Sequence, residues 1–543
     1  MNLVDASRRL ALAALVIGSL FACQCLIAPD QARAEKKPNI LVTMGDDVGW
    51  FNIRADHHGI MSSKTPNLDK LAAQGMLFTD YYAEASCTAG RAAFHYRGNG
   101  ADVGIPEQAS TIAVALKTLG YDTGQFGKNH LGDKNKYLPC VHGFDEFFGY
   151  LYHLDALSDP YWFDYPQNWI DKTGPRNLVH CVATTTDDPT DQPRWGRVGK
   201  QKIEDEGPLA PFPNMKDMQN WQEGRKAKYD MQTFDGVLVG KSEEFMDKAK
   251  KDGKPFFIWH NTTRMHVFTY LAPKYQAMMN FQTNYGLEEA GMAQLDDCVG
   301  DLLKHLDDIG EAENTIVIFT TDNGAEVFTW PDGGMTPFKG TKGTGYEGGF
   351  RVPAIIRWPD HVKPGSVENG IFSALDWYPT LVAAAGNPDV TIQLLKGITL
   401  NGVNYKNHLD GYNQMALLTG TGPSARQEFF YFTGPNLAAI RIDEMKFQFI
   451  QQPYGWPGKK ITTDMPTIVN LRQDPFERTT MIRGETPVNG AFGYGNEFYA
   501  REFWRFVMVQ QAAFKLAQTA IDFPPMQATA SFNLDAVKNK SRR

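Results

Sequence analysis

The sequence predicts an α/β protein with a large, mostly parallel sheet flanked by helices and a smaller C-terminal subdomain of antiparallel sheet plus helix. Three observations carry this expectation. From Lys36 onward, short apolar runs alternate with amphipathic helical stretches, the signature of a parallel sheet covered on both faces. From Glu428 the rhythm changes to apolar runs in quick succession, as in an antiparallel meander. The chain has 543 residues, 42% hydrophobic, enough to bury a large core beside an appendage.

The elements follow in order. Asn39 to Met44 (Asn-Ile-Leu-Val-Thr-Met) is a buried strand. Thr65-Pro66 opens a helix that Gly75 closes, with Pro in the first turn and Gly past the end. Ser110 to Leu119 is a second helix, stopped by Gly120, and Tyr121 to Phe126 a second strand. Pro255 to Trp259 is the third strand, Tyr285 to Ile309 a long helix, Thr315 to Thr320 the fourth strand and Val352 to Arg357 the fifth. Residues 155–224 are rich in Trp, Tyr, Pro and Asp with few apolar periodicities, and are expected to form an irregular insertion. Phe429 to Phe432, Leu437 to Ile442 and Lys446 to Ile450 form the later strands, followed by a helix over Asn496 to Ala520.

The N-terminus is expected to be a cleaved export signal, favoured over a membrane anchor by the polar Asp30-Gln31 and the small residues that follow, and is set aside from the fold. Arg8 and Arg9 precede an apolar run ending near Ile27, and Ala32-Arg33-Ala34 offers a small-residue cleavage site. The expected division is therefore 1–34 export signal, 35–425 main α/β domain and 426–543 C-terminal α+β subdomain. The mature protein is expected to be exported, periplasmic or secreted, with no stable membrane span after signal cleavage. Of six cysteines, Cys23 and Cys25 leave with the signal. The remaining four, Cys87, Cys140, Cys181 and Cys298, form neither a disulfide framework nor a C-x-x-C zinc pattern, although Cys140 and Cys181 could pair after export. A net charge of −8 with no long basic run argues against nucleic acid, and a mean hydropathy of −0.38 excludes a multi-span membrane protein.

Ligands of open α/β sheets bind beyond the carboxyl ends of the strands. The first strand runs into Asp46-Asp47 and the fourth into Asp322-Asn323. Three carboxylates and one amide make an all-oxygen set suited to a hard cation such as Ca2+, with Mg2+ as the alternative, and unlike the nitrogen and sulfur set of zinc. Either pair alone could cap a following turn; two pairs at matching strand ends, both beside Gly, favour a metal site. The second strand runs into Gly127-Lys128-Asn129-His130-Leu131-Gly132, placing a cation and a proton carrier two residues apart on a glycine-bounded loop. His266 follows the third strand. Cys87 is expected to open a helix, whose positive end favours a developing anion, with Arg91 one turn further on; a buried cysteine beside a surface arginine fits that spacing equally.

Together these segments resemble the formylglycine-dependent sulfatases of bacterial arylsulfatase type, within the alkaline-phosphatase-like superfamily. Cys87-Thr88-Ala89-Gly90-Arg91 fits the C-x-P/A-x-R signature, in which the cysteine is oxidised to formylglycine. Gly127 to Gly132 is similar to a second signature, usually G-K-W-H-L-G, and Thr341 to Gly349 to a third block. Gly143 to Gly149 looks most like the bacterial arylsulfatases. Ala89 stands in place of the commoner proline and Asn129 in place of tryptophan, and the segment after Phe94 is shorter than is usual.

The resemblance implies a sulfatase hydrolysing sulfate monoesters, aryl sulfates first, through a formylglycine (3-oxoalanine) hydrate made from Cys87. Asp46, Asp47, Asp322 and Asn323, with the modified Cys87, would hold Ca2+. Arg91 would stabilise the hydrated aldehyde, and Lys128, Lys342 and His266 would bind the sulfate ester, the last two also protonating the leaving alcohol. His130 would take the proton that releases sulfate. Implied partners are a small-molecule sulfate ester and, during maturation, a formylglycine-generating enzyme. The alternatives are a phosphonate or phosphate monoester hydrolase of the same superfamily and a secreted, non-catalytic degenerate homologue.

Overall fold

The computed structural model describes residues 36–87, 104–217, 226–335, 337–478 and 494–524. The expected export signal, Arg91 and the segment after Phe94 lie outside the described residues.

A ten-stranded mixed sheet dominates. Its strands in chain order are β1 (Asn39–Gly45), β2 (Met76–Phe78), β3 (Asp122–Lys128), β4 (Glu146–Tyr150), β5 (Leu178–Gln192), β6 (Gly196–Gly207), β7 (Phe256–Asn261), β8 (Thr315–Thr321), β9 (Ala354–Arg357) and β10 (Ser366–Glu368). Across the sheet the order is β10-β2-β9-β8-β1-β7-β3-β4-β5-β6. The central strands β8, β1, β7, β3 and β4 are all parallel. β9 instead runs antiparallel to β8, because the chain leaves β8 at its carboxyl end and re-enters the sheet from that same edge.

Strands β1, β7 and β8 carry apolar residues on both sides because helices cover both faces. On one face Leu41, Ile258, Val317 and Phe319 pack against α1 (Pro66–Gln74), α3 (Phe234–Lys251) and α4 (Leu287–Asp308), through Leu68, Leu238, Leu295 and Leu302 among others. On the other, Ile40, Val42, Phe257, Ile316 and Ile318 meet α2 (Ile112–Thr118) and α5 (Trp377–Ala384), through Val114, Leu116, Trp377 and Leu381. Successive residues of β1 thus serve opposite cores, as the two-residue period of a strand requires.

Residues 155–224 are not irregular throughout: β5 and β6 form a long hairpin that extends the sheet. Most of the far half of β5 is exposed on both sides, so Thr and Asp replace the apolar alternation by which a strand is recognised. At its base Cys140 and Cys181 form a disulfide, Cα–Cα 6.2 Å, among Leu138, Phe147 and Val179. Cys298 is a buried apolar residue of α4.

A four-stranded antiparallel meander follows: β11 (Glu428–Thr433), β12 (Asn436–Ile442), β13 (Met445–Gln451) and β14 (Ile461–Asn470). The helix α6 (Phe506–Asp522) covers it with Phe506 and Val509. β14 escapes sequence recognition because it is largely polar and contains Pro466. Buried ion pairs join the meander to the main body. Arg441 meets Asp80 at 2.8 Å, and Lys446 meets Glu347 at 3.0 Å and Glu477 at 2.8 Å, all at most 2% exposed.

Candidate active site

Parallel pairing brings four strand ends to one edge. Gly45 of β1 is level with Thr321 of β8, Met44 with Asn261 of β7, and Asn261 with Gly127 of β3. The residues that follow therefore converge: Asp46-Asp47, Asp322-Asn323, the segment to His266, and Lys128 to His130. Two positions depend on left-handed backbone, Asp47 (φ 61°) and His130 (φ 57°), which turn their side chains at the strand end. Gly127 is required where it stands: its φ is 105°, and a Cβ there would lie 1.7 Å from the Asn261 carbonyl oxygen.

Carboxylate oxygens of Asp46, Asp47 and Asp322 and the sulfur of Cys87 all lie within 4.8 Å of one another, fully buried. Cys87 Sγ is 3.4 Å from Asp46 Oδ1 and 3.6 Å from Asp47 Oδ1. Asn323 donates from Nδ2 to Asp47 Oδ1 at 2.7 Å, while its buried Oδ1 accepts no hydrogen bond among the described residues. That orphaned amide oxygen, beside three carboxylates, fits a hard cation. Lys128, fully buried, donates to Asp46 Oδ2 at 2.5 Å. Lys342 donates to Asp47 at 2.6 and 2.8 Å and approaches Cys87 Sγ to 3.0 Å. Lys128 is thus the last residue of β3, pinned behind Asp46, rather than a free loop residue.

Burial pushes the Cys87 thiol well above its ordinary range, and the two lysines do not reverse it. Cys87 is therefore held where burial disfavours ionisation, unlike the anion-favouring helix end that its place in the sequence suggested. Burial also pushes Asp47 up, but Lys342 and His266 outweigh it and hold the carboxylate below its usual value. Burial lowers the His266 ring below its ordinary range, with Asp47 and Asp46 pulling the other way. Three carboxylates against two ammoniums leave the described cluster one charge negative. A divalent cation would make it one positive, the complement of a monoanionic ester.

His266 Nε2 lies 3.9 Å from Asp47 Oδ2, and His130 shares the same cleft as Cys87 and Lys342. Sequence reasoning missed His153 and Asp155. They follow β4, the next parallel strand, whose carboxyl end reaches the same edge; a His-x-Asp just past an apolar strand was the available signal. Also missed were Glu326 and Trp456. The Trp456 indole donates to Glu326 Oε1 at 2.7 Å, and Glu326 Oε2 lies 3.9 Å from Lys342 Nζ. Trp456 sits between β13 and β14, where no chemistry-bearing pattern marks it. Phe268, Phe328 and Trp456, each about half exposed or more, line the cleft.

A family model described as Sulfatase matches residues 38–387. Human arylsulfatase A is 32% identical over 486 residues, covering 83% of this chain and 84% of that protein. Human N-acetylgalactosamine-6-sulfatase is 28% identical over 491 residues, covering 82% and 81%. Among solved structures, a sulfatase from Pseudoalteromonas sp. superposes with a TM-score of 0.70 at 25% identity, covering 92% of this chain and 93% of that one.

Proposed function

The chain belongs to the sulfatase family and is a sulfuric ester hydrolase, and we propose that it cleaves aryl sulfate monoesters to a phenol and inorganic sulfate. One observation carries this reading: Cys87 is packed among Asp46, Asp47, Asp322, Asn323 and Lys342, a cation-ready cluster around a single modifiable side chain. Oxidised to formylglycine and hydrated, Cys87 would supply the hydroxyl that attacks sulfur, while Ca2+ held by Asp46, Asp47, Asp322 and Asn323 would neutralise the sulfate oxygens.

The remaining roles belong to the chain's own groups. Lys342 holds a sulfate oxygen where charge develops and, with His266, delivers a proton to the leaving phenol oxygen. Lys128 adds positive potential from behind Asp46. His130 accepts the proton whose removal expels sulfate, and Arg91 stabilises the hydrated aldehyde. The aromatic walls of Phe268, Phe328 and Trp456 suit a flat leaving group.

Maturation by a formylglycine-generating enzyme and export with removal of residues 1–34 complete the proposal, with a division at residue 425 between catalytic and C-terminal regions. No described helix is long and apolar enough to cross a membrane. The Cys140–Cys181 disulfide supports an oxidising, extracytoplasmic destination.

The test is the mass of the Cys87 peptide from the native host, joined to parallel assays with an aryl sulfate and an aryl phosphonate. An aldehyde at Cys87 and faster sulfate release are expected. A thiol at Cys87, or preference for the phosphonate, would overturn the reading.

A further inference from the structure

We propose that Asp155 is a positioning residue that aims the ring of His266 at the reacting centre. The proposal rests on the sulfatase reading above and adds a residue to it. Asp155 Oδ1 is hydrogen-bonded to His153 Nδ1 and lies 3.5 Å from His266 Nδ1. The only other acceptor recorded at that nitrogen among the described residues is the Val267 carbonyl, 3.2 Å away. With two oxygens facing it, Nδ1 carries the hydrogen, and the opposite nitrogen, Nε2, is turned toward Asp47.

The ring is also held face-on. His153 stacks on His266 at 5.3 Å between centroids with 7° between planes, and the His130 ring meets His153 edge-on at 5.8 Å. Asp155 thus joins His153 and His266 through one carboxylate oxygen. Burial pushes this carboxyl up, but the hydrogen bond from His153 and the charge that either imidazole carries when protonated hold it down to about 2, so it faces the rings as an anion. A buried anion behind one imidazole nitrogen fixes ring orientation and tautomer, and supports positive charge on the ring as a proton is handled at the other nitrogen.

Such a role has a signature. Protonating the leaving oxygen matters for a poor leaving group and hardly at all for a good one. The experiment measures kcat and kcat/KM for nitro-, halo- and unsubstituted phenyl sulfates with wild-type enzyme and Asp155→Asn. The variant is expected to lose roughly 10–100-fold in kcat on phenyl sulfate while staying within about twofold on the dinitro ester, steepening the dependence on leaving-group pKa with little change in KM. Adding Asp155→Asn to His266→Gln should cost little further. Should Asp155→Asn not fold, Asp155→Ser carries the same slope test. A uniform loss across the series, or none, overturns the role of Asp155 alone. A wild type that turns over no sulfate ester overturns the proposed function and this role with it.

Discussion

The ammonium of Lys342 lies 3.0 Å from the sulfur of Cys87, although 255 residues separate them in the chain. The loop bearing Lys342 is clamped from both sides. Lys342 N–H donates to the Ala325 carbonyl at 2.9 Å, and Gly343 N–H to that of Ala85 at 2.6 Å. Gly343 is needed there: its φ is 76°, and a Cβ would sit 2.6 Å from that of Trp456.

Lys342→Met is expected to lower kcat on an aryl sulfate by roughly 10²–10³-fold, the usual loss when one donor to a developing oxyanion is removed. Conversion of Cys87 to the aldehyde should be unaffected. Turnover assays with peptide mass analysis check both, and a variant within threefold of wild type would contradict the assigned role.

Asn323→Leu removes the orphaned amide oxygen but leaves the three carboxylates. Cation affinity should fall, read by calorimetric titration of chelator-stripped protein with Ca2+. Stripped wild-type enzyme should lose turnover and regain it with Ca2+, and its melting temperature should climb with Ca2+ concentration, because a ligand that binds only the folded state stabilises it. Unchanged affinity in the variant would remove Asn323 from the ligand set.

Lys446→Met leaves Glu347 and Glu477 facing each other without their shared cation. Uncompensated buried charge typically costs about 3–5 kcal/mol. Denaturant unfolding should show a loss of that order, partly recovered by adding Glu477→Gln. Because Glu347 lies five residues beyond Lys342, turnover should fall as well; full activity would mean that the meander does not brace that loop.

Glu146 accepts a hydrogen bond from His180 at 3.0 Å and raises the imidazole above its ordinary value. A group raised on folding stabilises fully below its unfolded pKa, about 6.5 for His, and loses that contribution as pH rises through the folded value. Glu146→Gln should therefore lower the melting temperature more at pH 5.5 than at pH 8.5. Both side chains are about one-fifth exposed, so solvent screening should hold the effect to roughly 1 kcal/mol or less. Equal shifts at both pH values would discount the pair.

Much of the fold is legible along the chain. Strand β1 and helix α1 are visible because Ile40, Leu41, Val42 and Met44 dominate a short apolar run and because Pro66 and Gly75 mark the helix ends. Strand β5 is hidden because it runs into solvent, where nothing demands alternation. The opposite direction of β9 is equally unreadable, since Ala354 to Arg357 has the same apolar composition whichever way it points. Asp46, Asp47, Asp322 and Asn323 are readable as pairs at strand ends. Trp456 is not, and Asp155 is marked only by its place after β4, because the partners they meet, Glu326 and His266, come from distant parts of the chain.

By itself the sequence determined which residue types are available for chemistry and that they follow strands of one sheet. Local periodicity and turn residues are short-range physics, written within a few positions of where they act. Only the tertiary structure decided that Lys128 is pinned behind Asp46, that Cys87 is buried beside three carboxylates, and that Asp155 faces His266. Those outcomes depend on burial and on charges brought within a few ångströms by strand pairing, and neither is a property of any one segment.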